Sequence, residues 1–441
     1  MKFSTFKGGV HPPHRKKSTE KLAVRRANEP KMVYIPLQQH IGAPAKALVK
    51  PGDQVKVGQL IGEMQGFVCA PIHSSVSGVV KKVAQSNVTN GTGLCVIIEN
   101  DMKNEIHEDI KPFKPVEELT GEEIVQIVKN AGIVGMGGAT FPAYVKLSPP
   151  KEKKIEYIIL NGAECEPYLT ADHRLMLEEP EDVVYGLKAL MKSVDVKKGY
   201  IGIENNKMDA IKAMQEACQG HEGIEVVALE TKYPQGAEKQ LIYACIGKEV
   251  PSGGLPMDVG VVVNNVGTAA QLSKTIKTGL PLIERITTVT GSAIKEPANL
   301  LIRVGTLVDE IIEECGGFKE EPGKIIMGGP MMGFAQYATD IPVVKGSSGI
   351  LCLNKEEATL KQPQNCIKCG KCVDICPANL QPVYLSAYSL KNDFEKTEEF
   401  RALDCIECGS CSFICPSKRP LLQSIRVAKR EIIAKRRKES K

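Results

Sequence analysis

The chain has 441 residues, with 57 Lys and Arg against 52 Asp and Glu for a net charge of +5, and it contains no Trp. That length supports two to four domains, each with its own core. The sparse aromatics exclude a nucleic-acid surface that interleaves stacking rings with basic side chains, and no apolar run approaches the roughly 18 residues of a membrane span.

The charge is unevenly distributed. Residues 1–31 and 418–441 hold nineteen of the 57 basic residues and four of the 52 acidic ones, which leaves the middle near −10. Two basic ends on an acidic body point to docking surfaces, on a membrane face or an acidic partner. The start, Met1-Lys2-Phe3-Ser4-Thr5-Phe6, lacks the apolar stretch of a secretory leader, which predicts a cytoplasmic chain.

In chain order, residues 1–31 form a Pro-rich basic arm containing His11-Pro12-Pro13-His14, which either binds a metal through its histidines or lies on a neighbouring surface. Residues 32–105 alternate as β-strands with turns at Pro51-Gly52-Asp53, Val57-Gly58 and Ser77-Gly78. This stretch resembles the barrel-sandwich hybrid of biotinyl and lipoyl carriers. No lysine stands between Gly58 and Val80, where a carrier would attach its cofactor, so a structural role is expected.

Residues 115–280 alternate helix and strand. Helices are predicted at 122–130 and 181–194, and strands at 155–160, 199–204, 224–230 and 259–263, which implies a mostly parallel sheet with ligand sites at its carboxyl ends. Three segments fall at such places: Gly135-Met136-Gly137-Gly138-Ala139-Thr140-Phe141-Pro142, Asn161-Gly162-Ala163-Glu164-Cys165-Glu166-Pro167, and Asn264-Asn265-Val266-Gly267-Thr268. Taken alone, the first is also consistent with a tight turn, because it follows a helix and not a strand. Taken alone, Glu164 and Glu166 read first as caps on the following turn.

Residues 281–340 read as two strands and a helix, with a capping box at Thr306 and Asp309 and a stop at Gly316-Gly317. A linker is expected over 341–360 and a cluster domain over 361–418. There the spacing C-x₂-C-x₂-C-x₃-C-P occurs twice, at Cys366, Cys369, Cys372 and Cys376 and at Cys405, Cys408, Cys411 and Cys415. Two [4Fe–4S] clusters follow, each triplet taking its fourth ligand from the other repeat. Cys366, Cys369, Cys372 and Cys415 hold the first, and Cys405, Cys408, Cys411 and Cys376 the second. A zinc site would leave the third cysteine of each triplet idle. Seven further cysteines show no ligand spacing. In the last segment, 419–441, Leu421, Leu422, Ile425, Ala428, Ile432 and Ile433 form one stripe in a basic helix. It suits anionic lipid, a membrane partner, or an ordinary terminal helix.

Together these motifs resemble known families. The three site segments resemble the FMN- and NADH-binding subunit of respiratory complex I. With the sandwich, Gly328-Gly329-Pro330-Met331-Met332-Gly333 and the paired cysteine motif, nearly the whole chain resembles the C-subunit family of Rnf complexes, membrane ferredoxin:NAD⁺ oxidoreductases that translocate sodium ions or protons.

The resemblance implies a multidomain α/β fold with a β-grasp-like SLBB module at 281–340. It implies FMN, NAD(H) and two [4Fe–4S] clusters as cofactors, and the conversion of two-electron hydride transfer into one-electron steps. Implied partners are the membrane subunits and the ferredoxin-like B subunit of the complex, with a peripheral seat on the cytoplasmic face of the membrane and no nucleic acid. It gives Gly135, Gly137 and Gly138 to flavin and nucleotide, Phe141 to the nicotinamide or adenine, and Lys146 to the flavin's surroundings. Asn161, Glu164 and Glu166 go to the flavin and the NADH ribose or amide, and Asn264, Asn265 and Thr268 to the FMN side. No side chain is expected to act as acid, base or nucleophile. The complex I subunit has Arg where Met136 stands and Gly where Thr140 stands. Two other readings remain: a soluble flavin and iron–sulfur cobalamin reductase, and an electron-wiring scaffold with clusters and no nucleotide site.

Overall fold

The strand predicted near 155–160 is a five-residue strand, β1 (Tyr157–Asn161), in a computed structural model that describes residues 3–439. Met1, Lys2, Ser440 and Lys441, the outermost residues of the basic arm and the terminal segment, lie outside the described residues. With β2 (Gly199–Glu204), β3 (Ile224–Leu229) and β4 (Val261–Asn265), β1 makes an all-parallel sheet of order β3-β2-β1-β4. Its residues are apolar on both faces because helices cover both. Ile158 and Leu160 pack into one layer with α1 (Gly121–Asn130), α3 (Pro180–Ser193) and α5 (Val266–Thr278); Ile159 packs into the other, with Leu241 and Ile242 of α4 (Glu238–Ile246). A capping box of Thr120 and Glu123 starts α1, and Pro180 opens α3 at its first turn. Strand order reverses between β1 and β4, and the crevice beyond their carboxyl ends is where such a sheet accepts a ligand.

The sandwich is built from a four-stranded and a three-stranded sheet closing on Val33, Ile35, Val55, Ile61, Ile72, Val96 and Ile98. Its turn at Ser74–Ser77 is buried, and the Ser75 hydroxyl donates to Val304 O (2.5 Å). Where a carrier domain presents a swinging lysine, this domain is packed against its neighbour.

Two expectations for the next region are corrected. Residues 341–360 are not a linker throughout: Gly349–Asn354 is a buried inner strand of a six-stranded sheet, parallel to Glu284–Thr290 and antiparallel to Pro322–Met327. Its apolar run, Ile350-Leu351-Cys352-Leu353, is that of a strand covered on both faces. The Thr306–Asp309 capping box does not form. Leu307 is still extended where the helix Val308–Glu314 begins, Thr306 Oγ1 donates back to Arg303 O, and the Asp309 amide donates to Thr339 O. Gly316 and Gly317, both left-handed, do follow the helix end.

The basic arm is laid across three domains. Ser4 bridges to Leu229, Val10 bridges to Tyr233, and Val24–Arg26 adds an edge strand beside Asn299–Leu301. His11 Nδ1 lies 3.2 Å from Thr231 O, and His14 O accepts from the Tyr168 amide. Gly9 N donates to Ile375 O. A Cβ on Gly8 would lie 2.9 Å from that same carbonyl, and with φ of +87° the position suits only glycine.

Lys345 is a second tie between domains. Its fully buried Nζ donates to Pro71 O (2.9 Å) of the sandwich and to Gly132 O (2.7 Å) behind α1, and burial lowers its pKa to about 7 from 10.5. Between those two values the unfolded chain binds a proton that the folded chain does not. Stability from this group therefore rises with pH across that window and is flat below it. Lys345→Met is expected to cost about 1–3 kcal/mol for carbonyls left without a donor and to abolish the rise. Urea unfolding at pH 7 and pH 9 reads both effects.

Candidate functional site

Asn161 closes β1 and is held on both sides. Its Nδ2 donates to Gly236 O (2.7 Å) and its Oδ1 accepts from the Ala163 amide (3.1 Å). At the end of β4, Asn265 caps α5, accepting from the Gly267 amide (2.8 Å), while its Nδ2 donates to Asp172 Oδ2 (2.7 Å). Asn264 beside it is buried, and neither its Oδ1 nor its Nδ2 finds a partner among the described residues. A buried amide left unpaired is costly, and an amide at the switch point, facing no protein partner, suits the polar edge of a ligand.

The glycine loop lies over this crevice. Val134 bridges to Pro142, and the Gly135 amide donates to Phe141 O (2.8 Å), which leaves Gly137, Gly138 and Ala139 exposed at the tip and Phe141 half-buried. Thr268 Oγ1 anchors the loop by accepting from the Met136 amide (3.0 Å). A Cβ on Gly137 would lie 2.8 Å from Asn265 Nδ2, so glycine here permits the loop to close onto the strand end.

The two departures from the complex I pattern acquire a structural context. Thr140 takes a left-handed backbone, φ +52°, which explains why glycine suits that position; Thr carries a strain of about 1–2 kcal/mol there. At Met136 the loop lacks a guanidinium of its own, but the fully buried Arg285 Nη2 donates to Met136 O (2.8 Å) from the neighbouring module.

Lys146 reaches the same crevice from below, with Nζ 2.8 Å from Glu238 Oε1 and 3.0 Å from Val263 O. The two glutamates are engaged with backbone. Glu164 accepts from the Asp172 (2.8 Å) and His173 (3.3 Å) amides, capping α2 (Ala171–Glu178), as the turn-capping alternative expects. Glu166 accepts from the Met331 (3.0 Å) and Met332 (2.9 Å) amides, and burial pushes its pKa up to about 7. The Gly328–Gly333 loop is thereby fastened to the strand-end segment.

Lys16, Asp172, Arg285 and Tyr233 were not singled out from the sequence. Lys16 of the arm is fully buried, with Nζ donating to Glu164 O (2.9 Å), Glu166 O (3.0 Å) and Leu169 O. An arginine near the start of a threonine-rich strand and a Tyr-Pro-Gln-Gly turn after β3 were the available signals. Lys16 gave none, since one lysine in a basic arm looks like any other.

Tyr233 links the crevice to the cysteines. Its buried hydroxyl donates to Cys408 O (2.8 Å), and Val10, Cys165, Met331 and Ile406 pack around it. Gln240 Nε2 donates to Pro377 O (3.0 Å) nearby. Cys405, Cys408, Cys411 and Cys376 ring one apolar cavity with Leu380, Leu385, Leu422 and Ile425, while Cys372 interacts with Cys366 and Cys415. Among the described residues no three ligand-type side chains could hold a single metal ion. The four thiols around an apolar cavity fit a larger group with one ligand per iron.

The two cysteine loops share a backbone. Lys368 and Glu407 are left-handed (φ +56° each), as are Gly370 and Gly409 (+77° and +79°), whatever their side chains. Their surroundings differ. α6 (Leu421–Glu439) buries its apolar stripe on the cysteine domain itself, with Leu421, Leu422, Ile425, Ala428 and Ile432 covered and only Ile433 of the predicted stripe exposed, so the covered face is not available to lipid. Its Arg426 and Lys429 pair with Glu407 (2.9 and 2.7 Å), and Lys429 also donates to Cys405 O (2.7 Å).

The family model of the Nuo51 FMN-binding domain matches residues 128–274, the RnfC barrel-sandwich hybrid domain 4–103, the SLBB domain 286–335 and the 4Fe-4S dicluster domain 365–419. The chain is 56% identical to the C subunit of the Na⁺-translocating ferredoxin:NAD⁺ oxidoreductase complex of Acetobacterium woodii, covering 99% of both. It is 52% identical to the proton-translocating counterpart of Clostridium ljungdahlii (97% of this chain, 94% of that one). It is 42% identical to the C subunit of the ion-translocating oxidoreductase complex of Rhodobacter capsulatus (96% and 82%). Among solved structures, an air-oxidized NAD⁺-reducing [NiFe]-hydrogenase aligns with a TM-score of 0.50 at 15% identity, covering 73% of this chain and 62% of that one, a likeness of fold alone.

Proposed function

The chain belongs to the C-subunit family of ion-translocating ferredoxin:NAD⁺ oxidoreductase (Rnf) complexes, and from that membership we propose how its residues divide the work. It is an electron-transfer subunit of such a complex, with FMN, NAD(H) and [4Fe–4S] clusters as its redox groups. When bound, the flavin accepts both electrons of a hydride and releases them singly, as one-electron clusters require.

In this reading the exposed amides of Gly137 and Gly138 receive the phosphate and ring edges of the flavin and nucleotide, and Gly135, whose amide is spent on Phe141 O, sets the turn that presents them. Asn264 supplies the unpaired amide that orients the flavin, with Asn161, Asn265 and Thr268 holding the strand ends in place. Phe141 covers the nicotinamide or adenine and excludes water, and Lys146 places a positive charge beneath the site. Glu164 and Glu166 position the segment between crevice and cysteines. Cys405, Cys408, Cys411 and Cys376 form the inner ligand set, against the flavin domain; Cys366, Cys369, Cys372 and Cys415 form the outer one.

The observation that supports this assignment is the short route from Asn161 to Gly236, along the turn to Tyr233, and through its buried hydroxyl to Cys408, which joins the switch-point crevice to the inner set. The relatives favour neither a cobalamin reductase nor a scaffold without a nucleotide site. No described helix is long and apolar enough to cross a membrane. Seating is therefore assigned to the membrane subunits of the complex, on the cytoplasmic face, with the ferredoxin-like B subunit as a further neighbour.

Anaerobic reconstitution tests the reading. About eight irons and one FMN are expected per chain, and NADH is expected to bleach both chromophores. The double variant Phe141→Ala/Asn264→Ala should weaken FMN retention and NADH bleaching while leaving iron content at the wild-type level. Bleaching equal to wild type in that variant would move the nucleotide site elsewhere.

A further inference from the structure

We propose that Lys429 of α6 sets the reduction potential of the inner cluster: its cation, seated on the inner cysteine loop, makes the addition of an electron there easier, and Glu407 opposes it. The proposal rests on the reading above, since it takes Cys405, Cys408, Cys411 and Cys376 as ligands of one cluster.

Burial creates the need. Cys408 and Cys411 are buried, and the cavity they share with Cys405 and Cys376 is closed by Leu380, Leu385, Leu422 and Ile425. A cluster held by four thiolates is already an anion, and one more electron raises its negative charge in surroundings that solvate charge poorly. Without compensation the inner cluster is the harder of the two to reduce. The outer loop has no such deficit, because Cys366 and Cys369 stand in solvent.

The compensation comes from α6. Lys429 Nζ donates to Cys405 O (2.7 Å) and lies 2.7 Å from Glu407 Oε1, and its side chain is only 16% exposed. Arg426 Nε reaches the other oxygen, Glu407 Oε2, at 2.9 Å, with its side chain 35% exposed. Cys405 and Glu407 belong to one ligand loop, so two cations against one carboxylate leave a positive charge in excess there. Lys429 dominates, because a charge nearer to water is more strongly screened. A unit charge acting over about 10 Å at an effective dielectric constant of about 20 changes an equilibrium roughly tenfold. In the outer loop Lys368 and Lys371 are exposed and screened. α6 therefore makes the two clusters unequal although their loops share a backbone.

The test is an anaerobic redox titration of the reconstituted full chain, with each reduced cluster followed by low-temperature electron paramagnetic resonance; the inner signal is the one that Cys415→Ser retains. Lys429→Met is expected to cut the reduced-to-oxidised ratio of the inner cluster about tenfold at a fixed potential, a fall of about 59 mV for a one-electron couple, and to leave the outer midpoint in place. Lys429→Arg should keep the wild-type value. Glu407→Gln, which removes the opposing carboxylate, should shift the inner midpoint upward, and Arg426→Met should lower it less than Lys429→Met does. Lys435→Met, on the same helix but paired with Glu395, should change neither midpoint. A contact that merely fastens the helix predicts no shift, or shifts of one sign in Lys429→Met and Glu407→Gln, and either result overturns the proposal. So does an equal shift in Lys435→Met. Should Lys429→Met lose iron, the opposite signs expected of Glu407→Gln and Arg426→Met decide the matter. Failure of the underlying reading shows separately, in wild type, as fewer than about eight irons per chain.

Discussion

Cys376→Ser is expected to empty the cluster of the repeat to which Cys376 does not belong. Its thiol lies in the cavity of Cys405, Cys408 and Cys411, while Cys366 and Cys372 of its own repeat lie with Cys415. Iron should fall from about eight to about four per chain. Because the lost cluster is the inner one, the consequence for electron transfer is severe. NADH should still bleach the flavin, yet reduction of an external one-electron acceptor should fall by more than the roughly 10–100-fold that loss of an outer-shell partner costs. Cys415→Ser should also halve the iron but spare the inner set. Iron analysis with low-temperature electron paramagnetic resonance of the two variants separates crossed from uncrossed ligation, since uncrossed ligands would reverse the two patterns.

Lys16→Met is expected to be among the most destabilising single changes in the arm. Burial lowers the Lys16 pKa, opposed by Glu164, whose carboxylate is 3.8 Å away and nearly as buried. Removing one member of a buried pair typically costs about 3–5 kcal/mol because the other charge stays behind, and three carbonyls of the Glu164–Leu169 turn lose their donor as well. The loss is local to the site: this turn links the Asn161 strand end to the Glu166–Met331 contact. A large drop in the urea midpoint is expected, together with faster FMN release. A midpoint within error of wild type would mean that the arm is only draped on the surface.

Much of the parallel sheet was legible because its strands are short apolar runs at regular spacing between amphipathic helices, and predicted and observed limits differ by only a few residues. The paired cysteine motif was equally clear, since ligand spacing is a local property of one loop. Gly349–Asn354 was missed because a six-residue buried strand without alternation is indistinguishable from an apolar linker until its neighbours are known. The Thr306–Asp309 box was misread for the converse reason: a local capping pattern yielded to strand-end contacts with Arg303 and Thr339. The stripe on α6 was seen, but amphipathicity identifies a face and not what covers it.

Chain order and residue type by themselves determined the inventory here: a switch-point sheet, a glycine loop, two asparagines at a strand end and eight cysteines in two repeats. Each is encoded within a few residues, because turns, caps and ligand loops are set by local backbone chemistry. The tertiary structure alone decided the relations among them. It buried one cysteine loop against Tyr233 and left its twin in solvent, turned Lys16 from one basic residue among many into the clamp on the site, and left the Asn264 amide unpaired at the crevice. Those outcomes depend on contacts between residues more than a hundred positions apart, where packing and desolvation act and local pattern has no reach.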